Sequence, residues 1–336
     1  MRYIGSKRPK PDMKAKGKIA NRENQCSALF RNDFNPHSNL SFAVQGRANI
    51  GPAISACGRS YLSSFNIWRE PSLIAKKAIG KLRRQFVRIP DSPTIREMGG
   101  GVRFEHERLA FLDEGDLRAM LTQSYEIGLC NFIKEQALPG DIVLDVGANV
   151  GYISAVAASC VGLSGEVHGF EPLAECYARL LRLRELNPLF NFKFNNFALG
   201  EEEGVLPIAF NPDGDSRNAT LVPGKNFPEI REVPVHRLDD YIARHISSPG
   251  RIKLIKIDVE GFEFSVLKGL QKFLASFKPP VVCEIKPWEL AKLDATLEEF
   301  DQFMKELGYT PYLFTQPHKA IRLSGMTEMD VVLFRA

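Results

Sequence analysis

From Asp141 onward, short apolar runs alternate with segments whose apolar residues recur every three or four positions. DIVLDV (141–146) reads as a buried strand. Residues 150–161 put Ile153, Val156, Ala157, Cys160 and Val161 on one helical face. GEVHGFEP (165–172) is the next strand, LAECYARLLRLREL (173–186) a helix and NFKFNNFAL (191–199) a strand. After an interruption, RIKLIKID (251–258) is a strand, FEFSVLKGLQKFLASF (262–277) a helix and PPVVCEI (279–285) a strand. TLEEFDQFMKELG (296–308) is helical, and YTPYLF and DVVLFRA are two last strands. Strands alternating with helices at this pace imply parallel βαβ units. The expected fold is α/β: a Rossmann-like, doubly wound, seven-stranded, mostly parallel sheet.

Three segments depart from that rhythm. Between about residues 204 and 236, VLPIAF and EVPVHRL flank a polar stretch with Pro and Gly, which predicts an inserted hairpin with a long loop. Upstream, GGGVRFEHERLAFLDEGD (99–116) predicts a small hairpin, and Leu117–Ala137, which contains Tyr125 and Glu126, predicts a helix. PSLIAKKAIGKLRRQFVRI (71–89) aligns Ala75, Ile79, Leu82 and Phe86 on one stripe among Lys and Arg. An ordinary packed helix is the simpler reading of it; peripheral contact with an anionic membrane surface or polymer is the other. Residues 1–60 have no periodicity and read as a disordered or loose basic extension. The expected organisation is therefore 1–60 extension, 61–116 helix and hairpin, and 117–336 catalytic domain.

Charge sharpens this division. Of the 336 residues, the first 90 hold 18 Lys and Arg against 4 Asp and Glu, so a basic arm precedes a mildly acidic domain. No apolar run approaches the roughly 18 residues that span a bilayer, and the basic N-terminus has no apolar run behind it to form a secretory leader. The six cysteines show no metal-ligand spacing and read as reduced thiols. A cytoplasmic protein is expected.

The chemistry centres on LDVGANVGY (144–152). In open α/β sheets, ligands bind beyond the carboxyl ends of the strands, and the first βα turn is the usual contact. Gly147 permits a tight turn and close backbone approach, and Gly151 close helix packing. A dinucleotide would place its pyrophosphate here, but Asp145 stands where that fingerprint begins with Gly, and a carboxylate repels a pyrophosphate. S-adenosylmethionine carries a sulfonium and an ammonium instead of phosphate, and suits the Asp. Glu171 ends the next strand and can accept both ribose hydroxyls, unless it only caps the helix that follows.

At these residues the chain resembles a known family. Asp145-Val-Gly-Ala-Asn-Val-Gly-Tyr, Gly-Phe-Glu171-Pro, Asn196-Phe-Ala-Leu-Gly, Lys256-Ile-Asp-Val-Glu-Gly-Phe-Glu263 and Val266-Leu-Lys-Gly269 resemble the FkbM-type methyltransferases, over about residues 117–336. The resemblance implies a class I methyltransferase fold and O-methylation of a sugar, glycan or secondary metabolite with S-adenosyl-L-methionine as donor. It implies that Asp145, Gly147, Ala148, Asn149 and Gly151 line the methionine part, that Glu171 holds the ribose, and that Asn196, Phe197 and Ala198 flank the adenine. It sets Asp258 opposite the methyl group.

Transfer from a sulfonium needs in-line alignment and removal of one proton. Asp258 and Glu260 are the candidate base or acceptor anchor. Lys256 and Asp258 share a strand face and could be a structural pair; Glu260 could serve the next helix, and Glu263 reads as structural. Glu284 and His236 are weaker candidates. Asn218-Ala-Thr220 matches a glycosylation acceptor that a cytosolic chain would not use. No metal is expected, because Asp258 cannot be placed beside Asp239 and Asp240 from sequence. The expected partner is a small-molecule or glycan hydroxyl acceptor. A nucleic-acid methyltransferase using the basic arm is the alternative, weakened by the acidic domain; a non-catalytic donor-binding protein is the third.

Overall fold

The computed structural model describes residues 87–336, apart from 213, 215, 217–218 and 225–226. All of these belong to the unit Ile67–Ala336. The expected extension at 1–60 and nearly all of the basic segment at 71–89 lie outside the described residues.

In chain order, a hairpin of β1 (Thr94–Gly99) and β2 (Val102–His106) precedes α1 (Glu114–Leu121) and α2 (Ile127–Gln136). Then come β3 (Ile142–Val146), α3 (Tyr152–Val161), β4 (Glu166–Phe170), α4 (Ala174–Leu186), β5 (Phe192–Asn195) and the short β6 (Ala198–Leu199). The insertion is β7 (Gly204–Phe210) and β8 (Glu229–His236), followed by α5 (Leu238–His245). The second half holds β9 (Ile252–Ile257), α6 (Glu263–Lys268), α7 (Gln271–Phe277), β10 (Val281–Ile285), α8 (Pro287–Leu290), α9 (Leu297–Glu306), β11 (Thr310–Leu313) and β12 (Asp330–Arg335).

The expected seven-stranded sheet is present, in the order β11-β12-β10-β9-β3-β4-β5. β5, β4, β3, β9 and β10 run parallel, and β12 is antiparallel to both neighbours. The chain moves outward from β3 to β5, then returns to lay β9 on the other side of β3. The strand order therefore reverses between β3 and β9, where open sheets form their ligand crevice. Every residue of β3 is buried, as a central strand covered on both faces requires. Its alternate residues feed two cores: Ile142, Leu144 and Val146 one, Val143 the other.

Three local expectations are corrected, and one helix was not anticipated. Residues 191–199 are not one strand: the chain leaves the main sheet after Asn195, and β6 pairs with β8 in a separate three-stranded sheet. Residues 117–137 are not one helix: α1 ends at Leu121, and Glu126 takes a left-handed φ of 39° just before α2. Residues 262–277 form two helices that meet at Gly269-Leu270. Helix α5, which buries Leu238, Tyr241 and Ile242, was not anticipated.

The glycine at this junction has a steric cause. A Cβ there would stand 2.0 Å from the Gly200 carbonyl oxygen, so the end of α6 and the end of the Asn196–Gly200 segment touch backbone to backbone. The Gly269 carbonyl also accepts from the Asp239 N–H at 3.0 Å, which ties α5 to the same point. Among the described residues, Cys130, Cys160 and Cys283 are in no disulfide. No helix among the described residues is long and apolar enough to cross a membrane.

Candidate active site

A cavity of about 370 Å³ opens at the carboxyl ends of β3, β4, β9 and β10, in the size range of small-molecule sites. One wall is the turn after β3. The N–H groups of Gly147 and Ala148 both donate to the Phe170 carbonyl at 3.0 Å, which bends the turn against β4. Gly147 has φ 77°, and a Cβ on it would lie 1.8 Å from the Asp258 carbonyl oxygen. Only glycine lets this turn press against the end of β9. Ala148, Asn149 and Val150 continue the wall. Gly151 lies behind it and packs on Leu180 and Leu183 of α4 rather than on the sheet.

Asp145 is not on the cavity wall. It is fully buried beneath the turn, where one oxygen accepts from Ser154 Oγ at 2.6 Å. The β3–β9 register sets Asp145 opposite Lys256, and Lys256 Nζ stands 3.3 Å from the other oxygen and 3.6 Å from Asp258. Burial alone would lower the Lys256 pKa, but Asp145, then Asp258 and Glu126, outweigh it and raise it. The direct contact with donor expected of Asp145 is therefore replaced by an internal ion pair.

Glu171 is on the wall and 6% exposed. It does cap the chain locally, taking the Leu173 N–H at 3.0 Å, and its other oxygen takes the Asn149 N–H at 2.9 Å. Each oxygen keeps a further acceptor site directed by these bonds. Burial pushes its carboxyl up to about 7, against the pull of the two N–H donors. Asn196 stands outside the cavity and donates to the carbonyls of Glu171 and Pro172, so it shapes this corner indirectly. Phe197 and Ala198 line the cavity, with the Phe197 ring 4.5 Å from the His236 ring. His236 itself pairs with Glu203 at 2.6 Å and is not part of the wall.

The opposite end is acidic. Asp258, Glu260 and Glu284 bring carboxylate oxygens within 4.8 Å of one another. Lys286 Nζ binds Glu260 and stands 2.8 Å from Glu284, so an ammonium already sits among them. Burial raises the Glu260 carboxyl to about 7 although Lys286 opposes the shift. Glu260 holds a left-handed φ of 59°, and its carbonyl accepts from Thr220 Oγ1 at 2.7 Å. Thr220 is buried, and the inserted loop thereby closes on the turn after β9. Asp239 is remote from this cluster; it caps α7 through the N–H groups of Lys272 and Phe273. Glu263 takes the N–H groups of Val259 and Gly261, both at 3.0 Å, a supporting role as expected.

Three parts of the wall carry residues that sequence reasoning did not name as site residues, although it pointed to the inserted loop and the Tyr125 segment as facing the acceptor. Lys286 is one; its signal was a lysine two residues past Glu284, on the same strand face. Ser216 and Thr220 of the insertion are the second: Ser216 Oγ stands 3.2 Å from Asn149 Oδ1, across the cavity from its own hairpin. Glu126 is the third.

Residues 145–311 match the methyltransferase FkbM domain family. The chain is 30% identical over 207 residues to methyltransferase sdnD of Sordaria araneosa, covering 52% of this chain and 78% of that one. It is 27% identical over 259 residues to 31-O-demethyl-FK506 methyltransferase FkbM of Streptomyces tacrolimicus, covering 67% and 88%. Among solved structures, methyltransferase FkbM of Methylobacillus flagellatus aligns with TM-score 0.37 and 17% identity, over 67% of this chain and 56% of that one.

Proposed function

Because this chain belongs to the FkbM family of methyltransferases, we propose that it is an S-adenosylmethionine-dependent O-methyltransferase acting on a hydroxyl of a sugar, glycan or secondary metabolite. The observation that carries this reading is the charge of the cavity. Its wall holds Glu126, Glu171, Asp258, Glu260 and Glu284 against only Lys256 and Lys286. Such a site attracts a cationic donor and repels pyrophosphate and nucleic-acid phosphates. The name of the Streptomyces relative supports an oxygen acceptor.

In this reading the donor supplies an activated methyl group on a sulfonium when bound. Glu171 accepts the ribose hydroxyls, its orientation fixed by the Asn149 and Leu173 N–H groups. Phe197 and Ala198 flank the adenine, and the turn Gly147–Val150 runs along the methionine part. Asn196 and Gly151 shape these surfaces from behind, and Asp145 sets the position of Lys256. Asp258, a third exposed and only loosely paired with Lys256, takes the acceptor proton or holds its hydroxyl. Glu260, locked to Lys286, anchors the acceptor rather than moving a proton. The insertion covers the cavity through Ser216 and Thr220 and excludes water.

The test is incubation of the protein with methyl-labelled S-adenosylmethionine and cell extract, followed by fractionation. Label in a low-mass or glycan fraction, stable to the mild base that cleaves methyl esters, is expected. Label in RNA, or stabilisation by NAD but not by S-adenosylmethionine, would overturn the reading.

A further inference from the structure

Methyl transfer changes the charge of the ligand. The S–CH₃ bond breaks and its electron pair returns to sulfur, an O–CH₃ bond forms, and the acceptor hydroxyl releases its proton. The sulfonium becomes a neutral thioether. Donor and product otherwise present the same adenosine, ammonium and carboxylate to the protein. A site can separate them only through that one charge, or through the methyl itself.

The charged groups at the acidic end are largely matched with one another. Lys256 serves Asp145 and Asp258, and Lys286 serves Glu260 and Glu284. Glu126 is different. It lines the cavity and is open to it, yet among the described residues no cation or hydrogen-bond donor engages its side chain. It is also held in place. Its backbone is left-handed, with φ 39° and ψ 46°, a conformation that a β-carbon disfavours. The preceding Tyr125 packs edge-on against Tyr152 of α3, with ring centroids 5.4 Å apart. The Glu126 carbonyl accepts from the Cys130 N–H at 2.9 Å.

We propose that Glu126 is the residue by which this site distinguishes the charged methyl donor from its neutral product: its unmatched carboxylate attracts the sulfonium and has no such attraction for the thioether. This rests on the reading that S-adenosylmethionine is the donor. The groups facing Glu126 are Asp145 from β3, Lys256 and Asp258 from the β9 strand and its end, Glu284 from β10, and Cys130 on its own helix. Burial within the cavity, then Asp258, push its carboxyl up to about 7, with Lys256 opposing. The discrimination therefore switches on as pH rises through neutrality.

The experiment is titration calorimetry of the full chain with S-adenosylmethionine and S-adenosylhomocysteine from pH 5.5 to 8.5. The carboxylate common to both ligands cancels in the ratio of their dissociation constants, and so does the ammonium up to about pH 7.5, where it stays protonated in both; the comparison is read over that part of the range. In the wild type, the preference for donor over product should rise about tenfold across this range. In Glu126→Gln that rise should shrink by more than half, the remainder coming from Glu171 and Glu260, whose carboxyls also lie at about 7, and in Glu126→Asp it should return. A flat ratio in the wild type would overturn the proposal without any variant, as would an undiminished pH dependence in a folded Glu126→Gln. Binding of both ligands with no pH-dependent difference sinks this inference and leaves the donor reading standing. Binding of neither ligand sinks both.

Discussion

Lys256 Nζ lies 3.3 Å from Asp145 Oδ1, and Asp145 is fully buried. The ion pair crosses the β3–β9 junction, where the strand order reverses, and Lys256 also donates to the Gly147 carbonyl at 2.6 Å. The glycine turn is thus fastened to the neighbouring strand by one ammonium.

Lys256→Met should be strongly destabilising, because it leaves a buried carboxylate without its partner. A loss of about 3–5 kcal/mol is expected, which lowers Tm by roughly 10 °C. Adding Asp145→Asn should recover much of the loss, since the amide needs no counter-charge. Urea denaturation of the two variants checks this; equal stability of single and double variants would show that the pair is not coupled.

Donor affinity and chemistry should separate at two carboxylates. Glu171→Gln should raise the Kd for S-adenosylmethionine by about tenfold or more, because a neutral amide accepts less strongly and offers one oxygen in place of two. Asp258→Asn should leave that Kd within about threefold and cut the transfer rate by about 10²-fold. Calorimetry for binding and labelled-donor turnover for rate distinguish the two. Equal loss of donor affinity in both variants would assign Asp258 to the donor.

Gly269→Ala and Gly147→Ala both force a Cβ into a carbonyl oxygen, at 2.0 Å and 1.8 Å. Their consequences should differ. Gly269 is outside the cavity, so its substitution should lower stability by about 2–4 kcal/mol with little change in donor Kd. Gly147→Ala also adds a β-carbon at φ 77°, and should abolish donor binding. Thermal melts with and without donor report on each.

Burial raises the Glu263 carboxyl to about 7, and the backbone N–H groups that donate to it do not offset the shift. The folded state therefore holds its proton more tightly than the unfolded chain. That contribution to stability is complete below about 4.5 and is lost as pH rises through about 7. Glu263→Gln imitates the protonated form and should not lose it. Between pH 4.5 and 7.5 the stability of the Gln variant relative to wild type should improve by roughly 3 kcal/mol. Melting curves of both proteins at several pH values suffice; a constant gap would mean that Glu263 is ionised in the fold throughout.

The strands and the glycine turn were legible because their periodicity is local. The apolar run of β3, broken only by Asp145, and the helical stripe of α3 need no knowledge of the rest of the chain. The break at Asn195 was not legible: Phe192, Phe194 and Ala198 continue an alternation although the chain changes sheets between them. Lys256 carried a signal, a charged residue in the otherwise apolar core face of IKLIKI, and the sequence reading paired it with Asp258 alone. Its closer partner Asp145 lies 111 positions earlier and appears only once β9 is laid beside β3. Glu126 was hidden for the same reason. It read as one residue of a long helix until the left-handed turn opened that helix and delivered the side chain to the sheet end.

The contact between Gly200 and Gly269 joins two sequence motifs that are 69 positions apart. The constraint runs one way. A β-carbon at 269 would meet the carbonyl of residue 200, a backbone atom that every residue carries, whereas a β-carbon at 200 would meet the side chains of Val235, Phe262 and Ser265 at 3.0–3.3 Å. Position 269 is thus closed to every side chain whatever stands at 200, while position 200 can be renegotiated by repacking its neighbours.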